Sequence, residues 1–213
     1  MKKSTRYNSK TIDNIKLVIM QHIRINIKDY LVLSIIFILG VMLGVIMVNN
    51  SNPQSKEEIS GYINEFVQLI NEGNYEIDKI KLLKSSIIEN LKILFLIWFA
   101  GSTIIGIPLI YVIIGYKGFC IGYTISAIIS SLGMMDGTIF SFSALFLQNI
   151  IVIPIILMLN VSALKLYRAL IKNNKNINIK QEVLRHTLFC AILIVPLIIA
   201  SYIETYISST ILC

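Results

Sequence analysis

Long runs without a charged side chain are the feature that most limits what this chain can fold into. The first run, YLVLSIIFILGVMLGVIMV at residues 30–48, contains no acidic or basic residue. An uncharged apolar stretch of about 18 or more residues can cross the hydrocarbon core of a bilayer. Because 55% of the residues are hydrophobic and the mean hydropathy is +0.75, too few polar side chains remain to cover a soluble globule. The sequence therefore predicts an integral membrane protein.

Several runs of this kind predict five membrane-spanning segments. Backbone groups in lipid must be hydrogen-bonded within the protein, and the runs lack an alternating strand pattern, so each is predicted to be a helix. The predicted fold is an all-α polytopic membrane bundle with kinked spans rich in glycine and proline. Lys117 separates the second run from the third and is predicted to lie in a turn at the membrane surface. The predicted spans are residues 30–48, 91–116, 119–135, 137–164 and 187–204.

The distribution of charge predicts which side of the membrane each connecting segment faces. The formal net charge is +7, and the basic residues concentrate in residues 1–29 and 165–186. Cytoplasmic loops carry an excess of Lys and Arg, so both segments are predicted to be cytoplasmic, the first as a basic amphipathic arm. Residues 49–90 carry an acidic cluster, and this loop and the tail at residues 205–213 are predicted to be extracytoplasmic. The charge has a topological explanation, and no nucleic-acid binding is expected.

Residues 49–90 are predicted to form an amphipathic helical hairpin. In its first helix, apolar residues recur at i, i+3, i+4, i+7, i+8 and i+11, which is the spacing of one helical face. A second helical stretch follows at residues 75–90. The apolar face has three alternatives: it lies on lipid, packs on the chain's own spans, or docks a partner. The candidate partner-binding residues are Ile59, Tyr62, Ile63, Phe66, Val67 and Ile70.

Glycine, proline and amide residues within the spans predict close helix packing and kinks. Gly40 and Gly44 have the spacing that lets two membrane helices approach closely, either within one chain or between two copies. Pro108 is predicted to kink the second span, because it removes a backbone donor in the middle of a helix. The residues assigned to packing or kinks are Gly40, Gly44, Gly101, Gly106, Pro108, Gly115, Gly118, Gly122, Gln148, Asn149, Pro154 and Pro196.

The sequence lacks the common catalytic signatures. It contains no HExxH, no GxSxG and no phosphate-binding loop. His22 and His186 fall at the predicted cytoplasmic edge, so no base is expected beside a deep serine. We therefore expect no enzyme, with no catalytic residue, metal site or cofactor. Prolines within three spans are also typical of transporters, and a small permease or a membrane subunit of a transporter is the alternative function.

A glycine and proline run, WFAGSTIIGIPLIYVIIGYKGFCIGYTISAI at residues 98–128, resembles a known family, as do the length and the order of segments. The chain is similar to the stage II sporulation protein M family of spore-forming bacteria. The resemblance implies a non-enzymatic scaffold in the mother-cell membrane, at the sporulation septum and the engulfing membrane. It also implies that two peptidoglycan-degrading partners, the stage II sporulation proteins D and P, are recruited during forespore engulfment. Membrane lipid and a second copy of the chain are further candidate partners.

Overall fold

The computed structural model describes residues 17, 20–71, 79–103, 106–142, 145, 147–171 and 178–208. These residues form helices and no strand, which confirms the predicted all-α fold class. Residues 20–25 are helical and precede the first long helix. The helices are α1 (Ile27–Asn49), α2 (Pro53–Asn71), α3 (Lys79–Ser102), α4 (Gly106–Leu132), α5 (Met134–Ser141), α6 (Leu147–Ile171) and α7 (Ile179–Ile203), which continues as a π-helical turn at Glu204–Ser208.

Four of the described helices are long and apolar enough to cross a membrane. They are α1, α4, α6 and α7, the last with the turn that follows it. The four helices support an integral membrane protein, but the predicted number of five spans is not confirmed. Between α1 and α4, helix α3 is apolar only in its second part, because Lys79, Lys81, Lys84, Glu89 and Lys92 occupy the first.

Helices α1, α3, α4, α6 and α7 run alternately in opposite directions. Arg168 near the end of α6 pairs with Asp29 at the start of α1, so these two helices are antiparallel. At the opposite end of the bundle, Asn90 near the middle of α3 bonds Ser201 near the end of α7. We call the end with Arg168 and Asp29 the basic end, and the opposite end, which carries α2, the α2 end.

The predicted turn at Lys117 is wrong, because α4 is continuous from Gly106 to Leu132. The chain reverses earlier, between the end of α3 and Gly106. There the N–H of Thr103 donates to the carbonyl of Ala100, and the N–H of Gly106 donates to the carbonyl of Thr103, both at 3.2 Å. A Cβ on Gly106 would lie 2.8 Å from the ring of Tyr167. The helix boundary therefore lies at a tightly packed glycine rather than at the charged residue.

The predicted mid-span kink at Pro108 is also wrong, because Pro108 lies in the first turn of α4. The first four N–H groups of a helix have no acceptor within it, so a proline there removes no hydrogen bond. Pro154 and Pro196 do lie inside α6 and α7. Of the three prolines assigned to kinks, only these two occupy a position where the i−4 carbonyl loses its donor.

The apolar core is shared by α3, α4, α6 and α7, with α1 packed against α4. The buried residues include Ile97, Ile110, Ile114, Val152 and Leu159, each 0% exposed. These side chains come from three different helices, α3, α4 and α6. The core therefore joins helices that the loops alone would not hold together.

The predicted fourth span includes parts of two described helices, the short helix α5 and the long helix α6. Gly133 turns the chain after α4 with φ +84°, a conformation that other residues rarely adopt. Helix α5 then folds back onto the end of α4, where a Cβ on Gly137 would lie 2.6 Å from the Cα of Ile129. Helix α6 begins at Leu147 and continues towards the basic end.

Candidate interaction surfaces and interior polar sites

Helices α1 and α4 meet backbone to backbone along a row of glycines. A Cβ on Gly40 would lie 3.0 Å from the carbonyl carbon of Gly115, and a Cβ on Gly44 would lie 2.6 Å from the backbone nitrogen of Tyr123. On α4, Gly118 and Gly122 leave equally little room against the carbonyl groups of Phe37 and Val41. In this structure Gly40 and Gly44 face α4 of the same chain. We call this contact the glycine seam, formed by Gly40, Gly44, Gly115, Gly118 and Gly122.

Lys117 lies beside the glycine seam, within a continuous helix. Its neighbours Gly115 and Gly118 both approach α1, so the backbone between them has to stay helical. An ionisable side chain within a membrane span costs free energy unless it faces the protein interior or a partner. The Lys117 side chain is half-buried, so other parts of the protein cover part of it.

Polar side chains of three helices meet inside the α2 end. The Ser86 hydroxyl of α3 donates to the Glu204 carboxylate, and the Gln148 amide of α6 donates to Ser86 at 3.4 Å. The Asn90 amide donates to the Ser201 hydroxyl at 2.9 Å. Gln148, which the sequence assigned to helix packing, thus bonds between helices. The cluster ties α3 to α6 and α7 at the end of the bundle where α3 is least apolar.

A second polar group lies buried near the basic end. His186 is 2% exposed, with Nδ1 at 2.9 Å from the Ser162 hydroxyl and Nε2 at 3.6 Å from the Cys190 sulfur. A Cβ on Gly101 would lie 3.2 Å from Nε2, so Gly101 makes room for the ring. His186 thus lies beside a serine, Ser162, near the edge of the bundle where the sequence predicted the histidine. Because packed side chains enclose the imidazole, the contact serves to hold α6 against α7.

An ion pair joins α1 to α6 at the basic end. The two terminal guanidinium nitrogens of Arg168, Nη1 and Nη2, donate to the carboxylate of Asp29 at 2.8 and 2.6 Å. Two parallel bonds of this kind fix both the distance and the orientation of the partners. The pair joins the start of α1 to the end of α6, and α1 has few other contacts with α6.

His22 packs on the basic end from the helical segment before α1. Its Nδ1 lies 3.1 Å from the Tyr30 hydroxyl, and its ring stacks on Phe189 with 5.7 Å between centroids. Burial lowers the pKa of His22 below its ordinary value of 6.5, and the positive charges of Lys165 and Arg185 lower the pKa further. The neutral imidazole is therefore the form that fits this contact.

Helix α2 presents a packed face and an exposed face. It contacts α4, and Tyr62 is 76% exposed. The predicted apolar face is thus partly used within the chain, with Tyr62 at its exposed border. Among the residues assigned to partner binding, Ile59, Ile63 and Val67 are half-buried, whereas the side chains of Phe66 and Ile70 lie outside the described part of the structure.

Taken together, these features define an all-helical integral membrane protein whose helices are joined by backbone contacts and interior polar bonds. Residues 33–209 match the family model described as Stage II sporulation protein M. The match covers most of the chain, so the protein belongs to this family, as the resemblance in the sequence indicated. No curated protein and no solved structure matches the chain. The family indicates a sporulation-related membrane protein.

Sequence reasoning missed the contacts between distant segments. Ser162 and His186 are 24 positions apart, and Ser86 and Glu204 are 118 apart. No motif links either pair. A partial signal exists at His186, because a histidine four residues before a cysteine places both side chains on one helical face.

Proposed function

We propose that this protein is a non-enzymatic membrane scaffold that recruits peptidoglycan-degrading partners to the septal membrane during forespore engulfment. The expected partners are the stage II sporulation proteins D and P. Membership in a sporulation family and four helices able to cross a membrane support this setting. A scaffold needs a partner surface that is held in a fixed position outside the lipid. Helix α2 is the described element that best meets this requirement.

The position of α2 is fixed by its connection to α1 and by its contact with α4. The Lys56 ammonium donates to the carbonyl of Asn49 at 2.7 Å, and the Ser51 hydroxyl donates to the carbonyl of Met47 at 2.7 Å. These bonds close the short link between the two helices. A partner that docks on α2 would therefore be held at a defined place relative to the membrane spans.

The distribution of charge supports an extracytoplasmic position for α2. Lys and Arg concentrate at the basic end, which is expected to face the cytoplasm. The α2 end would then face the space that contains peptidoglycan. Glu57, Glu58 and Glu65 are exposed around α2, so a partner with a basic surface is favoured.

The exposed Tyr62 is the observation that carries the proposal. Tyrosine is enriched among the residues that dominate binding energies at interfaces, and Tyr62 is 76% exposed on a helix that is held in place. Removal of such a residue typically costs about 2 kcal/mol of binding free energy, or roughly a 30-fold loss of affinity. Because the side chain is exposed, its removal should change the stability of the fold by less than about 0.5 kcal/mol.

The test is co-purification of the two partners from sporulating cells in mild detergent. Tyr62→Ala should release them, whereas Asn64→Ala, an exposed change on another face of the same helix, should retain them. Both variants should be present in the membrane at the wild-type level. Full retention of the partners by Tyr62→Ala would contradict a docking role for this face of α2.

A small permease is the second candidate. Pro154 and Pro196 within spans favour it, because transporters build their sites from interrupted helices. Deletion of the gene distinguishes the two functions. A scaffold predicts arrested engulfment with unchanged solute uptake in vegetative cells, whereas a permease predicts altered uptake in those cells.

A further inference from the structure

A pocket of about 260 Å³ opens between α4 and the two helices α5 and α6. This volume is just below the roughly 300 to 1,000 Å³ of sites that enclose a whole small ligand. Its wall includes a row of isoleucines on α4, together with residues of α5 and α6. None of the lining residues is charged. Members of the wall are Ile121, Ile125 and Ile129 of α4, Ser141 of α5, and Asn149 and Ile153 of α6.

Two oxygens in this wall have no hydrogen-bond partner within the described part of the chain. They are the Ser141 hydroxyl, on a residue that is 6% exposed, and the side-chain carbonyl of Asn149. The amide nitrogen of Asn149 donates to the carbonyl of Leu145 at 2.8 Å, which identifies the oxygen as the free atom. Buried polar atoms without partners cost free energy, so a ligand that bonds both oxygens would be stabilised in the pocket.

The chemistry of the wall limits what can satisfy these atoms. Asn149 requires a donor, and the Ser141 hydroxyl can donate to an acceptor. A phospholipid phosphate would have no cationic partner among the lining residues, and its desolvation would be costly. The occupant should therefore be uncharged, largely apolar, and equipped with both a hydroxyl donor and a carbonyl acceptor.

We propose that the pocket binds the glycerol end of an uncharged glycerolipid with a free hydroxyl group, that is, a diacylglycerol. The hydroxyl donates to the Asn149 oxygen, the Ser141 hydroxyl donates to an ester carbonyl, and the start of one acyl chain lies on the isoleucine row. The pocket is at the α2 end of two helices able to span the membrane, where a lipid places its glycerol.

Photolabelling of the full-length protein in nanodiscs tests the proposal. The probe is a diacylglycerol with a diazirine near the start of one acyl chain, and the labelled peptides are mapped by mass spectrometry. Labelling should fall on the peptides that line the pocket. Ile125→Trp, which fills the pocket, should reduce this labelling by about tenfold or more, and Ser141→Ala by about fivefold, the effect of one hydrogen bond. The control Val195→Trp, on a face of α7 that is 61% exposed, should leave it unchanged.

Competition on the wild-type protein makes the test independent of whether a variant folds. Unlabelled diacylglycerol should suppress the pocket label, whereas its methyl ether, which lacks the donor, should compete about tenfold less well. Equal competition by the methyl ether or by phosphatidylglycerol would overturn the recognition of an uncharged lipid by its hydroxyl. Labelling that is confined to exposed helix faces, or that Ile125→Trp leaves unchanged in a folded protein, would overturn the site itself.

Discussion

Replacement of Gly40 by alanine tests the glycine seam between α1 and α4. The new Cβ would lie 3.0 Å from the carbonyl carbon of Gly115 and 3.1 Å from the backbone nitrogen of Phe119, compared with 3.4 to 4 Å in ordinary contact. Because these atoms belong to the backbone, no side-chain rotation can make room, and the helices must separate. Overpacking of this kind costs about 1 to 3 kcal/mol, from which alanine recovers up to about 1 kcal/mol of helix propensity. We expect a net loss of about 1 to 2 kcal/mol.

Gly115 offers a matched control on the opposite side of the same seam. A Cβ on Gly115 would meet only a methyl group of Ile36, at 3.5 Å, which is ordinary contact. Gly115→Ala should therefore be neutral or stabilise the fold by up to about 1 kcal/mol through helix propensity. Reversible unfolding of the purified protein by SDS in mixed micelles, followed by circular dichroism, measures both changes.

A double substitution tests the mechanism of the loss. Gly40→Ala and Gly44→Ala require the same separation of α1 from α4, so the second change should cost less than it does alone. If Gly40→Ala destabilised no more than Gly115→Ala, the helices would not be in backbone contact, and the reasoning would be refuted.

Three further outcomes are expected. Arg168→Lys should keep the charge but lose one of the two bonds to Asp29. Because Arg168 is 47% exposed, the free energy of unfolding should fall by less than about 1 kcal/mol. SDS titration checks the loss, and the same effect in an Asp29→Asn background would argue against the pair. The folded-state pKa of His22 is lowered, so the contribution of His22 to stability is present above pH 6.5 and is lost as the pH falls through the folded-state pKa. His22→Gln should therefore flatten the acid side of a curve of stability against pH. An unchanged curve would exclude His22 as the cause. In a background without native cysteines, Gln54→Cys on α2 should react with a membrane-impermeant maleimide from outside the cell, whereas Arg24→Cys should react only after permeabilisation. The reverse pattern would show that α2 faces the cytoplasm and would contradict the proposed topology.

The helical membrane character of the chain was predictable because it depends on local properties. Run length and the absence of charge decide whether a segment suits a bilayer, and both are visible in residues 30–48 without knowledge of any neighbour. The apolar spacing of α2 was visible in the same way, and a helix is found at Pro53–Asn71. Which part of that face is free for a partner was not visible, because it depends on the contact with α4.

The positions of Lys117 and Pro108 could not be read from the sequence. A charge between two apolar runs predicts a turn, and a proline within an apolar run predicts a kink, when each is considered alone. In the structure α4 begins at Gly106, so Pro108 lies in its first turn and Lys117 lies well inside the helix. Both differences have one cause, the contact of α4 with other helices.

The sequence alone determined that the chain forms apolar helices, because a backbone in lipid must satisfy its hydrogen bonds within each segment. Only the tertiary structure decided where those helices begin and which residues their contacts use. Gly40 approaches the carbonyl group of Gly115, Ser86 bonds Glu204, and His186 meets Ser162 across distances in the sequence that no local pattern encodes. Such pairs depend on the relative placement of whole helices, and that placement is fixed by packing rather than by the helices' own composition.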